Sequence, residues 1–206
     1  MARRSASSSR WRQRQEKDPY VERAVREGWR SRAVFKLAEI DEREHLLRRG
    51  MSCVDIGAAP GGWSQYAARR IGRTGTLWAV DLLPMDPIEG VDVLTGDFTS
   101  ADVAAKLRAA LPEGVDLVMS DMAPNLSGTR AIDVPRQLAL AEEALAFAEQ
   151  ALKPGGDLLL KLFQGEGVDE FVGRVRHRFA KLRLMKPRAS RAESSEMYLL
   201  ARQRGM

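Results

Sequence analysis

Cysteine is nearly missing from this chain of 206 residues: Cys53 is the only one. No intrachain disulfide is possible, and a single thiol inside an apolar run reads as a small buried core residue. A reducing, cytoplasmic setting fits that usage. No apolar stretch approaches the ~18 residues needed to span a bilayer, so no membrane segment is expected. The N-terminus has no apolar core of the kind a secretory signal requires. Aromatic residues make up only 6%. No stretch of the sequence repeats another, and nothing marks a second domain or a metal site. Two phosphate-binding fingerprints are also absent. The Gly-rich turn at 57–62 carries Ala59 where GxGxxG needs its second glycine, and no Gly-Lys-Ser/Thr follows it. Dinucleotides and nucleoside triphosphates are therefore disfavoured, and an adenosine ligand without phosphates suits the turn better.

What is present is charge, unevenly placed. The net charge is +5. Up to Lys36 there are eleven bases against Glu16, Asp18, Glu22 and Glu27, so the remainder of the chain is slightly acidic. A second basic block, Arg174 to Arg191, holds eight bases and no acid. Two such blocks beside a near-neutral body point to a polyanionic partner, with nucleic acid favoured over a merely solvated surface. Residues 1–19 read as a disordered basic arm and 20–206 as one domain. The Arg- and Ser-rich start also resembles an organelle transit peptide, and RNA binding is the preferred reading.

The body alternates strands and helices. Strands are expected at 52–56, 75–81, 91–95, 115–120, 157–163, 181–185 and 197–201. Helices are expected near 31–47, 63–71, 100–110, 133–152 and 168–180. That alternation predicts an α/β fold, a mostly parallel sheet covered on both faces. The last two strands have no helical pattern between them and suit an antiparallel hairpin at one edge.

The first strand runs into Gly57-Ala58-Ala59-Pro60-Gly61-Gly62-Trp63, a turn that lets backbone approach a ligand, with Gly57, Gly61 and Gly62 as its cradle and Trp63 as a candidate wall. Asp81 ends the second strand twenty residues beyond Gly61, where an acid binds ribose hydroxyls in Rossmann-type sites. Asp97 follows the third strand and Asp121 ends the fourth. Three acids at successive carboxyl ends converge on one crevice. Lys161 interrupts Leu158-Leu159-Leu160-Lys161-Leu162-Phe163, and Glu196 precedes the last apolar strand. A buried ammonium is costly unless paired. Lys36 is, by pattern alone, one base among many.

The segments 55–65 (DIGAAPGGWSQ), 121–125 (DMAPN), 161–165 (KLFQG) and 188–198 (RASRAESSEMY) together resemble the FtsJ/RrmJ family, over roughly residues 20 to 203. The resemblance implies a class I, Rossmann-like S-adenosylmethionine-dependent methyltransferase with seven strands, the last antiparallel. It implies 2′-O-methylation of a uridine in the A-loop of 23S rRNA on the assembled large (50S) subunit; a monomer is expected. The family's Lys-Asp-Lys-Glu tetrad falls on Lys36, Asp121, Lys161 and Glu196. Its cofactor contacts fall on Gly61, Trp63, Asp81, Asp97 and Asp121. Glu193 departs from the pattern, standing where a basic residue is common. Alternatives are a 2′-O-methyltransferase for tRNA or mRNA caps, and a non-catalytic RNA-binding assembly factor that keeps the fold.

Overall fold

The computed structural model describes residues 18–205. The basic arm expected at 1–19 therefore lies outside the described residues, except for its last two. Asp18 and Pro19 open the first helix, α1 (Pro19–Arg26), with Asp18 as N-cap accepting from Tyr20 N. This helix is not among the expected elements. Its apolar positions are too few to show a period, and its start is set by the cap and by a proline in the first turn.

Six further elements build the first half of the domain: α2 (Val34–Glu44), β1 (Ser52–Ile56), α3 (Gly62–Ile71), β2 (Thr76–Asp81), β3 (Asp92–Thr95) and α4 (Ala101–Ala110). Then come β4 (Val115–Ser120), α5 (Arg130–Ala151), β5 (Leu152–Phe163), α6 (Val168–Arg176), β6 (Phe179–Met185) and β7 (Glu196–Arg204). α2 is shorter than the 31–47 its pattern predicts. His45 takes a left-handed conformation and ends the helix, while Leu46 and Leu47 stay buried. The fully buried Asp41 carboxylate secures this end by accepting from Leu47 N, Tyr66 Oη and Arg70 Nε. β5 begins earlier than expected, because Leu152 pairs with Val115 before a register shift across the Pro-Gly-Gly turn.

The strands form one sheet in the order β3-β2-β1-β4-β5-β7-β6. β7 inserts between β5 and β6 and is antiparallel to both; the remaining pairs are parallel. The expected edge hairpin is present, with β6 outermost. Each face of the sheet carries its own core. Val54, Val118, Leu158, Leu160 and Leu199 pack with α4, α5 and α6 on one face. Leu117, Met119, Leu159, Tyr198 and Leu200 pack with Leu37, Ile40, Trp63 and Ala67 of α2 and α3 on the other. Each fully buried aliphatic side chain there contributes ~1.5–3 kcal/mol. Cys53 lies in β1 with no exposure, and burial pushes its thiol up to about 12, so it is inert at neutral pH.

Strand alternation sets the direction of the polar side chains in this sheet. Side chains two apart share a face, so Lys161 points with Leu159 toward α2 and α3. The β5–β7 register sets Lys161 opposite Tyr198 and Phe163 opposite Glu196. Glu196, Tyr198 and Lys161 thus meet on the face that α2 covers.

Candidate active site

Four ionisable side chains close over the carboxyl end of β4 and β5. Lys161, at 7% exposure the most buried of them, lies 3.1 Å from Asp121 Oδ1 and donates to the Asp121 carbonyl. Its Nζ is 4.0 Å from Glu196 Oε2. Lys36, reaching in from α2, stands 2.8 Å from Glu196 and 3.8 Å from Asp121 Oδ1. The charges alternate, so each cation faces two carboxylates. Burial works to raise the Asp121 carboxyl, but Lys161 and Lys36 together with the Tyr198 hydroxyl outweigh it and hold the group below the usual carboxylate range. Asp121 is ionised at neutral pH.

Tyr198 is a site residue that sequence reasoning missed. Its hydroxyl donates to Asp121 Oδ1, and its ring lies under Lys36 Nζ at 5.7 Å. Burial and the nearby Asp121 and Glu196 charges push its phenol well above the ordinary value, so it remains a donor. The signal that would have found it is alternation from Glu196: position 198 shares its face. Gln137 of α5 donates to the Lys161 carbonyl at 2.8 Å, fixing the strand from the other side.

The Gly-rich turn lies beside this cluster. Gly57 and Gly61 take φ of +70° and +100°, conformations that L side chains rarely adopt. Asp81 sits at the end of β2, half-buried. Its two oxygens accept from Ala59 N and Leu83 N, both at 2.8 Å, so it ties the turn to its own loop. Asp97 is exposed after β3, where the Thr99 hydroxyl and amide hold its carboxyl below the usual range. Trp63 is buried rather than open to the crevice. Its indole N–H donates to Ala33 O and its ring packs 5.8 Å from Tyr198.

Two further residues escaped the sequence reading. Arg30 donates to the carbonyls of Asp86 and Pro87, at 2.7 and 2.6 Å, and so holds the loop after β2 close to the turn. Asp55, fully buried in β1, accepts from Ser64 Oγ at 2.6 Å. Burial raises its carboxyl to about 7 despite that bond.

Half of the second basic block is paired within the protein, at partly exposed positions. Arg174 pairs with Glu142 and Glu170, Arg178 with Glu149, Arg183 with Glu44, and Arg191 with Asp18. A run without acids in sequence meets acids from other elements once folded.

Residues 29–204 match the model of the FtsJ-like methyltransferases. The chain belongs to that family. It is 52% identical to a ribosomal RNA large subunit methyltransferase E from Alkalilimnicola ehrlichii, over 98% of both chains. It is 50% identical to the protein of that name from Legionella pneumophila, over 97% of both. Among solved structures, a ribosomal RNA methyltransferase from Plasmodium falciparum superposes with a TM-score of 0.77 at 26% identity, covering 85% of this chain and 98% of that one.

FtsJ-like methyltransferases use S-adenosylmethionine, and the residues here fit it. A Cβ at Gly57 would lie 1.9 Å from Met122 Cγ, and one at Gly61 2.6 Å from Ile88 Cδ1, so with their positive φ both positions are held to glycine. Asp81 keeps spare acceptor capacity for ribose hydroxyls. Exposed Leu82 and Leu83 beside it offer an apolar surface for a base.

Proposed function

We propose that this FtsJ-like enzyme methylates the ribose 2′-oxygen of a uridine in the A-loop of 23S rRNA, on the assembled large subunit, and that Lys36, Asp121, Lys161 and Glu196 carry the chemistry. The observation that carries the reading is Lys161, an amine set in an apolar strand and bracketed by two carboxylates. The substrate is taken from the large-subunit rRNA methyltransferases at about half identity. A monomer in the cytoplasm suits this role. Among the described residues no helix is long and apolar enough to cross a membrane.

The cofactor supplies an activated methyl group, held by Gly57, Gly61, Gly62, Asp81 and Asp97 with the Asp121 backbone segment beside it. The protein must hold a 2′-hydroxyl in line with that methyl and take its proton. Lys161 Nζ donates to the Asp121 carbonyl and lies between the Asp121 and Glu196 carboxylates, 3.1 and 4.0 Å away. That fixes the direction in which it meets the incoming 2′-hydroxyl, whose proton it accepts once it has released its own to solvent. Lys36, gripped by Glu196, places a second positive charge where the developing alkoxide forms. Tyr198 and Lys36 keep Asp121 ionised, which fixes Lys161 in place. Orientation of this kind accounts for several kcal/mol of barrier reduction. The basic arm before Asp18 reads as a phosphate contact.

The test is transfer of labelled methyl from the cofactor to purified large subunits, naked 23S rRNA and tRNA in parallel, with the product nucleotide mapped. Modification of one A-loop uridine at its 2′-oxygen is the expected result. Preferential labelling of tRNA would assign a different substrate, and no transfer to any of them would leave a binding protein.

A further inference from the structure

The segment 186–195 between β6 and β7 carries no catalytic group, yet two of its hydroxyls reach Glu196. Ser190 is 7% exposed, and its hydroxyl donates to Glu196 Oε1 at 2.7 Å. Glu196 holds Lys36 at 2.8 Å. Ser194 Oγ accepts from Glu196 N at 3.1 Å, so the same segment fixes the backbone of that residue too.

The segment itself is pinned from both sides. Lys186 Nζ spans it by donating to the carbonyls of Ala192 and Ser194. Arg188 N donates to Glu39 Oε2 on α2 at 2.7 Å. The Ala189 carbonyl accepts from Arg32, its side chain packs with Ala24, Val34 and Phe35, and Arg191 reaches Asp18 at the cap of α1. Asp18 receives Arg32 as well, so one buried carboxylate anchors both neighbours of Ser190. A hydroxyl mounted on so constrained a turn does not need to be ordered when substrate arrives.

We propose that Ser190 is a positioning residue for methyl transfer: it aims the Glu196 carboxylate, and through it Lys36, at the reacting centre. Without that bond Glu196 keeps Lys36 as its partner but loses the fixed point on its far side. The pair is then free to rotate away from the developing alkoxide. The proposal rests on the tetrad carrying the chemistry.

The experiment is single-turnover transfer to large subunits by full-length protein, with cofactor affinity and melting temperature measured alongside. Ser190→Ala is expected to lower kcat about ten-fold, as loss of one hydrogen bond to a charged group would. KM for the subunit and cofactor affinity should stay within about two-fold. Ser190→Thr, which keeps the hydroxyl, should restore most of the rate. The deciding arm is a double-mutant cycle with Glu196→Gln. A carboxamide keeps the shape but does not grip Lys36 as an anion, so Ser190→Ala should then cost less than about two-fold. An unchanged kcat in Ser190→Ala overturns the proposal. So does an equal loss in both backgrounds, and so does loss of the fold, which would make the residue architectural. If Glu196→Gln alone transfers methyl at the full rate, the tetrad reading fails, which is a separate result.

Discussion

Two ionic clusters in this protein use the same chemistry to different ends. In the tetrad, two lysines and two carboxylates interlock at 7–18% side-chain exposure. Along α5 and α6, Arg174 and Arg178 pair with Glu142, Glu170 and Glu149 at 33–80% exposure. Contacts in both reach hydrogen-bonding distance. Water screens the second cluster, and its pairs are worth ~0–1 kcal/mol each. The tetrad has given up its hydration, so each charge depends on the others remaining, and removing one leaves an uncompensated ion. A contact distance therefore says little about an ion pair until its burial is known.

The largest effect should come from Lys161. Lys161→Ala is expected to fold and bind cofactor but to lose transfer by ~10²–10⁴-fold, the span of general acid–base catalysis. Lys161→Arg should fail comparably, because a guanidinium keeps its proton at any usable pH. Single-turnover rates across pH check both. An arginine variant that keeps most of the rate would make Lys161 an electrostatic clamp instead of a base.

Next is stability. Glu196→Ala leaves Lys36 only its 3.8 Å contact with Asp121 and should cost up to ~3–5 kcal/mol in denaturant unfolding. Arg174→Ala, at the exposed cluster, should cost under ~1 kcal/mol. Similar losses from the two would erase the contrast between buried and exposed pairs.

Asp55 adds a third case, a buried carboxylate without a cation. Its folded value is raised from the ordinary 3.8 to about 7. Below 3.8 both folded and unfolded states hold the proton. Between 3.8 and about 7 only the folded state does, so stability falls as pH rises. Above about 7 the full cost is in place, on the order of 4 kcal/mol. Asp55→Asn should therefore melt higher than the parent, by a margin that grows from about pH 4 to about pH 7 and then levels off. A constant margin would place the effect elsewhere.

A smaller effect is expected at the cofactor turn. Asp81→Ala should weaken S-adenosylmethionine binding by ~1–3 kcal/mol, through lost hydrogen bonds to a charged acceptor. Calorimetry that finds unchanged affinity would remove Asp81 from the cofactor site.

Much of this was legible in the sequence. Short apolar runs located all seven strands within a few residues, because burial on two faces leaves little freedom in composition. Lys161 stood out as a cation where the strand should be apolar. Lys36 did not, since its α2 helix has one face to the sheet and one to solvent, and a base belongs on either. Tyr198 looked like strand filling because its hydroxyl partner lies 77 residues away. The basic block at 174–191 pointed to a nucleic-acid partner, which fits an rRNA methyltransferase family, but which of its bases pair within the fold was not legible: charge balance is settled in space, and the partners come from the cap of α1 and from α2, α5 and α6.

The strand order has a consequence for how the molecule comes into being. β7 is the last strand made, yet it fills an interior place in the sheet, and the acid at its head must reach a lysine 160 residues earlier. Until it emerges, β5 ends the sheet and β6 has no partner in it. Such pairing across most of the chain is slow to find. A growing polypeptide can thus shape its Gly-rich turn before β7 is made, while the four-charge cluster is complete only once Glu196 has emerged and β7 has entered the sheet.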